Sequence, residues 1–153
     1  MMNPPHARKL RTGRVSEIGR GYVITTVTQD RLPLFTDFHL ARLAIRELHA
    51  CDTTGICTTL AFVLMPDHLH WLLQLTEGTL PDLLRRYKSC SGSAINRERN
   101  TPGEAVWQAG FHDHAIRDGA DLQPVARYLV ANPLRAGLVA SVREYSHWDA
   151  AWL

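Results

Sequence analysis

The sequence predicts an α+β protein in which a four-stranded antiparallel sheet carries helices on one face and is followed by one added helix. Segments rich in β-branched or apolar residues alternate with segments of helical periodicity in the order β-α-β-β-α-β-α. A split β-α-β arrangement of this kind closes into such a sheet. The second and third strands are separated only by Pro66-Asp67, which is short enough for an antiparallel hairpin.

The four strands are predicted where β-branched or apolar residues run together. They cover residues 21–29, 56–65, 68–75 and 111–117. The second of these is apolar almost throughout, which indicates a strand that is buried on both faces.

Three helices are predicted from apolar residues that recur at helical spacing: 36–50, 78–98 and 121–133. The first two have threonine N-caps, Thr36 and Thr79. Gly92 is a candidate interruption of the second helix. The Asn132-Pro133 step marks the end of the third, because a residue before proline is disfavoured in helical geometry.

Composition divides the chain and excludes several protein classes. Residues 1–20 are predicted to be a basic arm, 21–139 the domain and 140–153 a C-terminal tail. The three cysteines show no CxxC pair and no secreted disulfide pattern, and no apolar run has the length of a signal peptide core or a membrane span. A cytoplasmic protein is therefore expected. The net charge of +2 is compatible with a nucleic acid partner but does not demonstrate one.

Two histidines interrupt the apolar pattern of the third strand. His68 and His70 project on the same side, with Cα atoms roughly 6.6 Å apart. Two neutral imidazoles at that separation can bind one divalent metal ion. The alternative is a pair of structural histidines held by hydrogen bonds. Because buried imidazoles without partners cost free energy, the adjacent pair favours a metal site.

A second pair has the same spacing. His112 and His114 also share one face of their predicted strand, with Asp113 pointing the other way. By spacing this pair is an equally good ligand set, so spacing alone does not decide which pair binds a metal.

The last predicted helix carries two further candidates. Tyr128 and Asn132 lie four residues apart, which places them on one helical face. Asn132 offers a carbonyl oxygen that a hard cation accepts, and Tyr128 offers a phenol that can act as a nucleophile. Considered alone, the helix favours a simpler interpretation in which the tyrosine packs in the core and the asparagine ends the helix.

Three blocks of the sequence together resemble a known family. "MPDHLHWLL" resembles the HUH motif (His, hydrophobic, His) of single-tyrosine transposases. "VWQAGFHDHAIRD" and "VARYLVANPLRAGLV" are similar to the two later blocks of REP-associated tyrosine transposases. The resemblance extends from about Gly21 to Val139. An HxH pair alone is a weak signal, whereas three blocks in the same order are specific.

The resemblance implies a fold, an activity and a set of roles. It implies a ferredoxin-like (RRM-like) sheet, a divalent metal, Mg²⁺ or Mn²⁺, and cleavage and rejoining of single-stranded or hairpin (REP-like) DNA through a covalent 5′-phosphotyrosine. His68 and His70 match the metal-binding pair, and Tyr128 matches the nucleophile. Asn132 matches the position of the third ligand, where relatives often carry glutamine. Such proteins are expected to act as monomers or homodimers.

Basic and aromatic residues are the candidates for DNA contact, because lysine and arginine neutralise phosphates and aromatic rings stack on bases. The candidates are Arg8, Lys9, Arg11 and Arg14 in the arm, Arg85, Arg86 and Lys88 in the helix after the histidine strand, Trp107, and the pair His112 and His114, which falls outside the metal motif. A solvated surface is the alternative for the basic residues, and packing is the alternative for Trp107.

Two other functions remain open at this point. One is a metal-dependent hydrolase in which both histidine pairs hold a metal with bound water. The other is a non-catalytic module of the same fold that binds single-stranded nucleic acid. Only the transposase hypothesis requires a covalent bond between Tyr128 and DNA.

Overall fold

A five-stranded antiparallel sheet forms the centre of the protein, whose computed structural model describes residues 16–152. The strands are β1 (Gly21–Val27), β2 (Cys57–Met65), β3 (His68–Leu75), β4 (His112–Ala115) and β5 (Trp148–Ala150). Their order across the sheet is β4-β1-β3-β2-β5. The first four strands with their two crossing helices form the split β-α-β arrangement, so the predicted α+β class is confirmed.

Four α-helices accompany the sheet: α1 (Phe38–Thr53), α2 (Leu80–Arg99), α3 (Leu122–Val130) and α4 (Asn132–Arg135). Helix α1 is capped by Asp37, whose carboxylate accepts two backbone N–H groups of the first turn. The predicted cap, Thr36, instead donates to the carbonyl of Pro33 at 2.9 Å. Thr79 caps α2 as predicted. The predicted interruption at Gly92 is wrong, because α2 runs continuously to Arg99.

The fifth strand comes from the C-terminal tail, for which the sequence predicted only turns. β5 pairs with β2, with Trp148 opposite Val63 and Ala150 opposite Ala61. The hydroxyl of Tyr145 donates to the carbonyl of Leu64 at 2.6 Å and fixes the segment before β5. Three residues are too few to show strand periodicity, which is why the pattern was invisible in the sequence. The added strand covers the backbone groups at the outer edge of β2.

The two faces of the sheet are covered by different helices. Successive residues of β3 point to opposite faces. Leu69 and Trp71 are buried against α1 and α2, on what we call the α1–α2 face. Leu72 packs on the opposite side with Ala126 and Leu129 of α3, on what we call the α3 face. The added helix therefore lies across the sheet from the other two.

Helix α3 ends at Val130 and α4 begins at Asn132 because Pro133 interrupts the helical hydrogen bonds. A continuous helix would bond the N–H of residue 133 to the carbonyl of Leu129, but proline has no N–H group. The carbonyl of Leu129 instead accepts the backbone N–H of Ala131 and the side-chain amide of Asn132, the latter at 2.7 Å. Pro133 lies in the first turn of α4, where its fixed φ is favourable. The helix predicted over 121–133 thus ends at Val130, two residues before the Asn132-Pro133 step, and the short α4 follows it.

Candidate active site on the α3 face

The imidazoles of His68 and His70 lie side by side on the α3 face, next to the hairpin turn that joins β2 to β3. Both are partly buried, and their ring centroids are 4.8 Å apart with the planes nearly perpendicular. Pairing with β1 places Val27 opposite His68 and Thr25 opposite His70. The strand alternation predicted from the sequence is therefore what brings the two rings together.

Each imidazole is held through its Nδ1 atom. Nδ1 of His68 lies 2.7 Å from a carboxylate oxygen of Asp67, and Nδ1 of His70 lies 2.9 Å from the hydroxyl oxygen of Thr25. When Nδ1 donates its proton in these bonds, the lone pair of each ring is on Nε2. Carboxylate and hydroxyl partners of this kind orient histidines that bind metal ions. The two rings thus present a pair of nitrogen donors.

Asp67 is itself fixed in the turn. Its second carboxylate oxygen accepts a hydrogen bond from Nε of Arg31 at 3.1 Å, and its carbonyl accepts the N–H and the hydroxyl of Thr28. Burial raises the pKa of Asp67, but the hydrogen bond and charge of His68 and the charge of Arg31 outweigh burial and leave that pKa below its usual value. Asp67 therefore stays ionised beside His68. The sequence indicated a turn here but not this role.

His70 is held in its neutral form. Burial lowers the pKa of its imidazole to about 4, and the positive charges of His68 and Arg135 act in the same direction. A neutral imidazole is the form that binds a metal ion, because a protonated ring has no lone pair to offer. Near neutral pH, His70 is consequently ready to act as a ligand.

Tyr128 lies on α3 with its side chain in solvent. It is 68% exposed, so its phenol is not enclosed in the hydrophobic interior. The guanidinium carbon of Arg135 lies 3.7 Å from the centre of the Tyr128 ring. The same guanidinium is close enough to His70 to lower the pKa of that imidazole. Through Arg135, the tyrosine and the histidine pair belong to one surface.

Arg135 was not predicted as a site residue. The only signal in the sequence was its place inside the third similar block, seven residues after Tyr128. Arg135 is the last residue of α4, whereas Tyr128 lies on α3, before the break at Ala131. No sequence period predicts a contact across such a break.

Asn132 has a structural task that the sequence did not reveal. Its Nδ2 atom donates to the carbonyl of Leu129, and this bond fixes the orientation of the side-chain amide. The carbonyl oxygen Oδ1, which is the atom that can bind a cation, points away from that bond. The proposed third ligand is thus anchored by its nitrogen.

The second histidine pair lies at the edge of the same face. Pairing of β4 with β1 places His112 opposite Thr25, so one strand separates His112 from His70. His112 and His114 are both exposed. His114 and Tyr128 line one cavity of about 410 Å³.

The two histidine pairs do not combine into one metal site. Within residues 16–152, no group of three or more His, Cys, Asp or Glu side chains is placed to hold a metal ion. The hydrolase hypothesis required four histidines around one ion, and this arrangement speaks against it. A third protein ligand beside His68 and His70 would have to be another residue type, as Asn132 is.

The basic cluster of α2 lies on the wrong side of the sheet for a shared phosphate groove with the histidine pair. Tyr87 of α2 stacks at 5.3 Å from Trp71, which points away from His70. Arg85 and Arg86 are exposed on this helix, and Arg85 is paired with Asp82 at 2.7 Å. The cluster and the histidine pair therefore lie on opposite faces of the sheet, and contact of these cations with DNA stays a prediction.

Lys88 and Trp107 have structural contacts on the same side. The ammonium group of Lys88 donates to the carbonyls of Gln108 and Gly110, and burial lowers its pKa to about 8. Trp107 is 6% exposed, and its indole N–H donates to the hydroxyl of Ser91 at 2.9 Å. Of the two roles considered for Trp107, the structure favours packing. A larger cavity of about 1070 Å³ between α2 and the segment that follows it also opens on this side, away from the histidine pair.

The predicted basic residues of the arm, Arg8, Lys9, Arg11 and Arg14, lie outside the described residues. Their proposed contact with DNA stays a prediction. In the part of the chain that the structure describes, no helix combines the length and apolar character that a membrane crossing requires.

Comparison with known proteins identifies similar sequences. The family model described as "Transposase IS200 like" matches residues 19–132. A Haemophilus influenzae protein with the provisional name REP-associated tyrosine transposase is 28% identical over an alignment of 141 positions, which covers 82% of this chain and 77% of that protein. The REP-associated tyrosine transposase of Escherichia coli K12 is 29% identical over 85 residues, which are 56% of this chain and 49% of that protein.

Comparison with solved structures identifies the same architecture. A REP-associated tyrosine transposase bound to a REP hairpin superposes with a TM-score of 0.74 at 21% identity, covering 88% of this chain and 79% of that one. A Deinococcus radiodurans protein described as a transposase superposes with a TM-score of 0.55 at 20% identity, covering 83% and 95%. At these identities the likeness shows the fold, and it agrees with the ferredoxin-like sheet.

Proposed function

The chain belongs to the IS200-like transposase family, and from that premise we propose that it cuts and rejoins single-stranded or hairpin DNA through a covalent 5′-phosphotyrosine on Tyr128. The resemblance to REP-associated tyrosine transposases is confirmed by the matching relatives. The observation that supports the proposal is the exposed phenol of Tyr128 with the guanidinium of Arg135 3.7 Å from the centre of its ring, a guanidinium whose charge also lowers the pKa of His70.

The donor set fits a divalent metal ion. Nε2 of His68, Nε2 of His70 and Oδ1 of Asn132 would hold it. Two imidazole nitrogens are better suited to Mn²⁺ than to Mg²⁺, which prefers oxygen ligands. When bound, such an ion supplies positive charge that polarises the phosphoryl oxygens of the DNA.

The residues of the chain would act on the phosphodiester in one displacement. The phenol oxygen of Tyr128 forms a bond to phosphorus as the bond to the 3′ oxygen breaks. The phenol loses its proton, and the departing 3′ oxygen gains one. The 3′ hydroxyl of another strand can reverse the step, because the phosphotyrosine keeps the energy of the ester bond. Arg135 lies where its charge would offset the negative phosphate beside the ring.

The covalent product gives the decisive experiment. Wild-type protein, labelled hairpin DNA with a single-stranded flank and Mn²⁺ should give a protein–DNA band that survives denaturing electrophoresis. Tyr128→Phe removes the attacking oxygen, so its band should be absent while DNA binding persists. Tyr145→Phe is the matched control, because Tyr145 bonds to the backbone carbonyl of Leu64 and should leave the band unchanged.

The non-catalytic module is the remaining alternative. It predicts binding of the same DNA with no covalent band in any variant. Hydrolysis by water predicts cleaved DNA with Tyr128→Phe as with wild type. Either result would contradict the proposed tyrosine chemistry.

We further propose that one chain completes one site, since Tyr128 and His70 lie on the same face within a single chain. Mixing a His68→Gln/His70→Gln protein with Tyr128→Phe protein tests this. Activity that returns on mixing would mean that the tyrosine of one protomer serves the histidines of its partner.

A further inference from the structure

A row of exposed imidazoles leads from Tyr128 along the edge of the sheet. His112 and His114 of β4 project on the α3 face, and Ile116, the next residue on that face, is buried beneath α3. Their side chains follow one another at intervals of roughly 6.6 Å. Imidazole rings can donate hydrogen bonds to phosphates and can stack on unpaired bases. The edge strand therefore offers polar contacts that neither the histidine pair nor the tyrosine uses.

Two adjoining cavities extend this row. The first, of about 410 Å³, is lined by His114, Arg117 and Tyr128. The second, of about 330 Å³, is lined by Arg117 and Arg20. Ile116 and Arg117 line both cavities, which therefore adjoin at these residues, and we call the two cavities together the groove. Its course is from the tyrosine, past Arg117, to Arg20.

The far end of the groove lacks a hydrogen-bond acceptor. Nε of Arg20 is buried and has no partner among the described residues, although Nη1 of the same side chain is paired with Glu17. A buried N–H without an acceptor is costly, and a bound anionic oxygen would supply one. Glu17 and Asp121 also line the groove, but Glu17 is neutralised by its pair with Arg20.

The cations of α2 offer a poorer path. Lys88 is occupied by two backbone carbonyls. Arg85 and Arg20 each have a carboxylate partner, but among the described residues it is Arg20 that has a buried Nε without an acceptor. The sheet itself separates them from Tyr128. Arg117, by contrast, is exposed and lies in the wall of the cavity that contains the phenol.

We propose that the groove lined by His114, Arg117 and Arg20, together with the exposed His112 on the same strand, is the track that binds a single-stranded DNA flank next to Tyr128. The track rests on the proposed function, because only a DNA-cutting protein needs a strand at the phenol. The phosphates contact the two arginines, and the bases lie over the two imidazoles. The sequence predicts that these histidines contact DNA, but it places the basic contacts in the N-terminal arm and on α2.

Salt dependence of binding tests the track, with fluorescein-labelled oligothymidylate as the probe and fluorescence anisotropy as the readout. The logarithm of the binding constant falls linearly with the logarithm of the salt concentration, and each phosphate contact to single-stranded DNA makes this slope about 0.7 more negative. Arg117→Ala should therefore make the slope about 0.7 less negative than that of wild type. Arg85→Ala removes the same charge on the opposite face and should leave the slope unchanged. An unchanged slope in Arg117→Ala, or an equal decrease in both variants, would overturn the track.

A second measurement locates the strand directly and does not depend on any substitution. Oligonucleotides carrying 5-iodouracil should crosslink on irradiation to the peptide that contains His112 and His114. Crosslinks confined to peptides of α2 would refute the track.

The failure of the track and the failure of the enzyme remain distinguishable. Without any covalent band, the expected slopes and crosslinks would retain the track and remove the tyrosine chemistry. Wild type and Arg117→Ala could instead bind with equal affinity and both give the covalent band, with crosslinks elsewhere. That result would retain the tyrosine chemistry and remove the track. Arg117→Gln, which keeps a polar side chain of similar length, should repeat the slope of Arg117→Ala and so exclude a loss of folding as the cause.

Discussion

The two faces of the sheet are built from the same strands but differ in how completely they are covered. On the α1–α2 face, two long helices bury Leu69, Trp71 and their neighbours entirely. On the α3 face, one helix of nine residues covers Leu72 but leaves the hairpin end of β3 accessible. The uncovered end is where the polar residues His68, His70 and Thr25 lie. Incomplete cover on one side leaves space for the proposed site, while complete cover on the other side stabilises the sheet.

Loss of the histidine pair should give the largest change in function and a small change in stability. His68→Gln/His70→Gln removes both nitrogen donors but keeps polar side chains on the open face. We expect the covalent protein–DNA band to disappear, while the melting temperature in the absence of metal stays close to that of wild type. Quantified denaturing gels and thermal unfolding provide the two measurements. A variant that retains the full band would show that the pair is structural.

The opposite substitution should separate stability from chemistry. Trp71→Ala removes a fully buried indole that stacks on Tyr87 and donates to the hydroxyl of Thr59 at 3.0 Å. The free energy of unfolding should fall by about 3–5 kcal/mol, as for other large-to-small changes in a core. Urea unfolding followed by circular dichroism measures this loss. A loss below about 1 kcal/mol would mean that the α1–α2 face is less tightly packed than its burial indicates.

Acid should destabilise the protein through the open face. His70 has a pKa of about 4 in the folded protein and an ordinary pKa of about 6.5 when unfolded. Between these values the unfolded chain binds a proton that the folded chain does not, so the free energy of unfolding decreases as pH falls from about 6.5 to 4. For His70 alone the decrease is at most about 3 kcal/mol.

The control for this acid effect is His70→Gln, measured with wild type in EDTA by urea unfolding at several pH values. The variant should lack this part of the pH dependence. Asp67 acts in a lower range, because its pKa lies below its usual value and its stabilisation is lost only as pH falls further. Identical pH profiles for the two proteins would show that His70 is not buried in its neutral form.

The smallest expected effect concerns the residue that orients the histidine. Asp67→Asn keeps the shape of the side chain but removes the negative charge beside Nδ1 of His68. Loss of such a partner typically weakens metal binding 10–100-fold. Titration with Mn²⁺, followed by electron paramagnetic resonance of the free ion, measures the change. Asp82→Asn on the opposite face is the matched control, and equal affinities in Asp67→Asn and wild type would remove Asp67 from the site.

The sequence predicted most of the framework because that framework follows from local patterns. Alternation along β3 placed His68 and His70 on one side, and Thr79 with the proline after it located the start of α2. The boundaries moved where competing caps were close, as with Thr36 and Asp37. The fifth strand was missed because three residues carry no period, and their pairing with β2 is a tertiary choice.

The site was predicted less completely, because its contacts join distant segments. The sequence and its resemblance named the two histidines, the tyrosine and the asparagine, whose roles stay predictions. They did not indicate Arg135, whose guanidinium on α4 contacts the ring of Tyr128 on α3. They also did not indicate Thr25, which is 45 residues from its partner His70. The face on which α2 packs was equally hidden, so the sequence did not show that the α2 cations and the histidine pair lie on opposite sides of the sheet.

Pro133 determines how the side chain of Asn132 is held. The side-chain N–H of Asn132 takes the place of the backbone N–H that proline lacks. The same hydrogen bond fixes the orientation of the side-chain oxygen Oδ1. Pro133→Ala would restore a backbone N–H that can compete for the carbonyl of Leu129 and release the side-chain amide of Asn132. The ring of one proline thus decides how the side-chain amide of Asn132 is held and which way its oxygen faces.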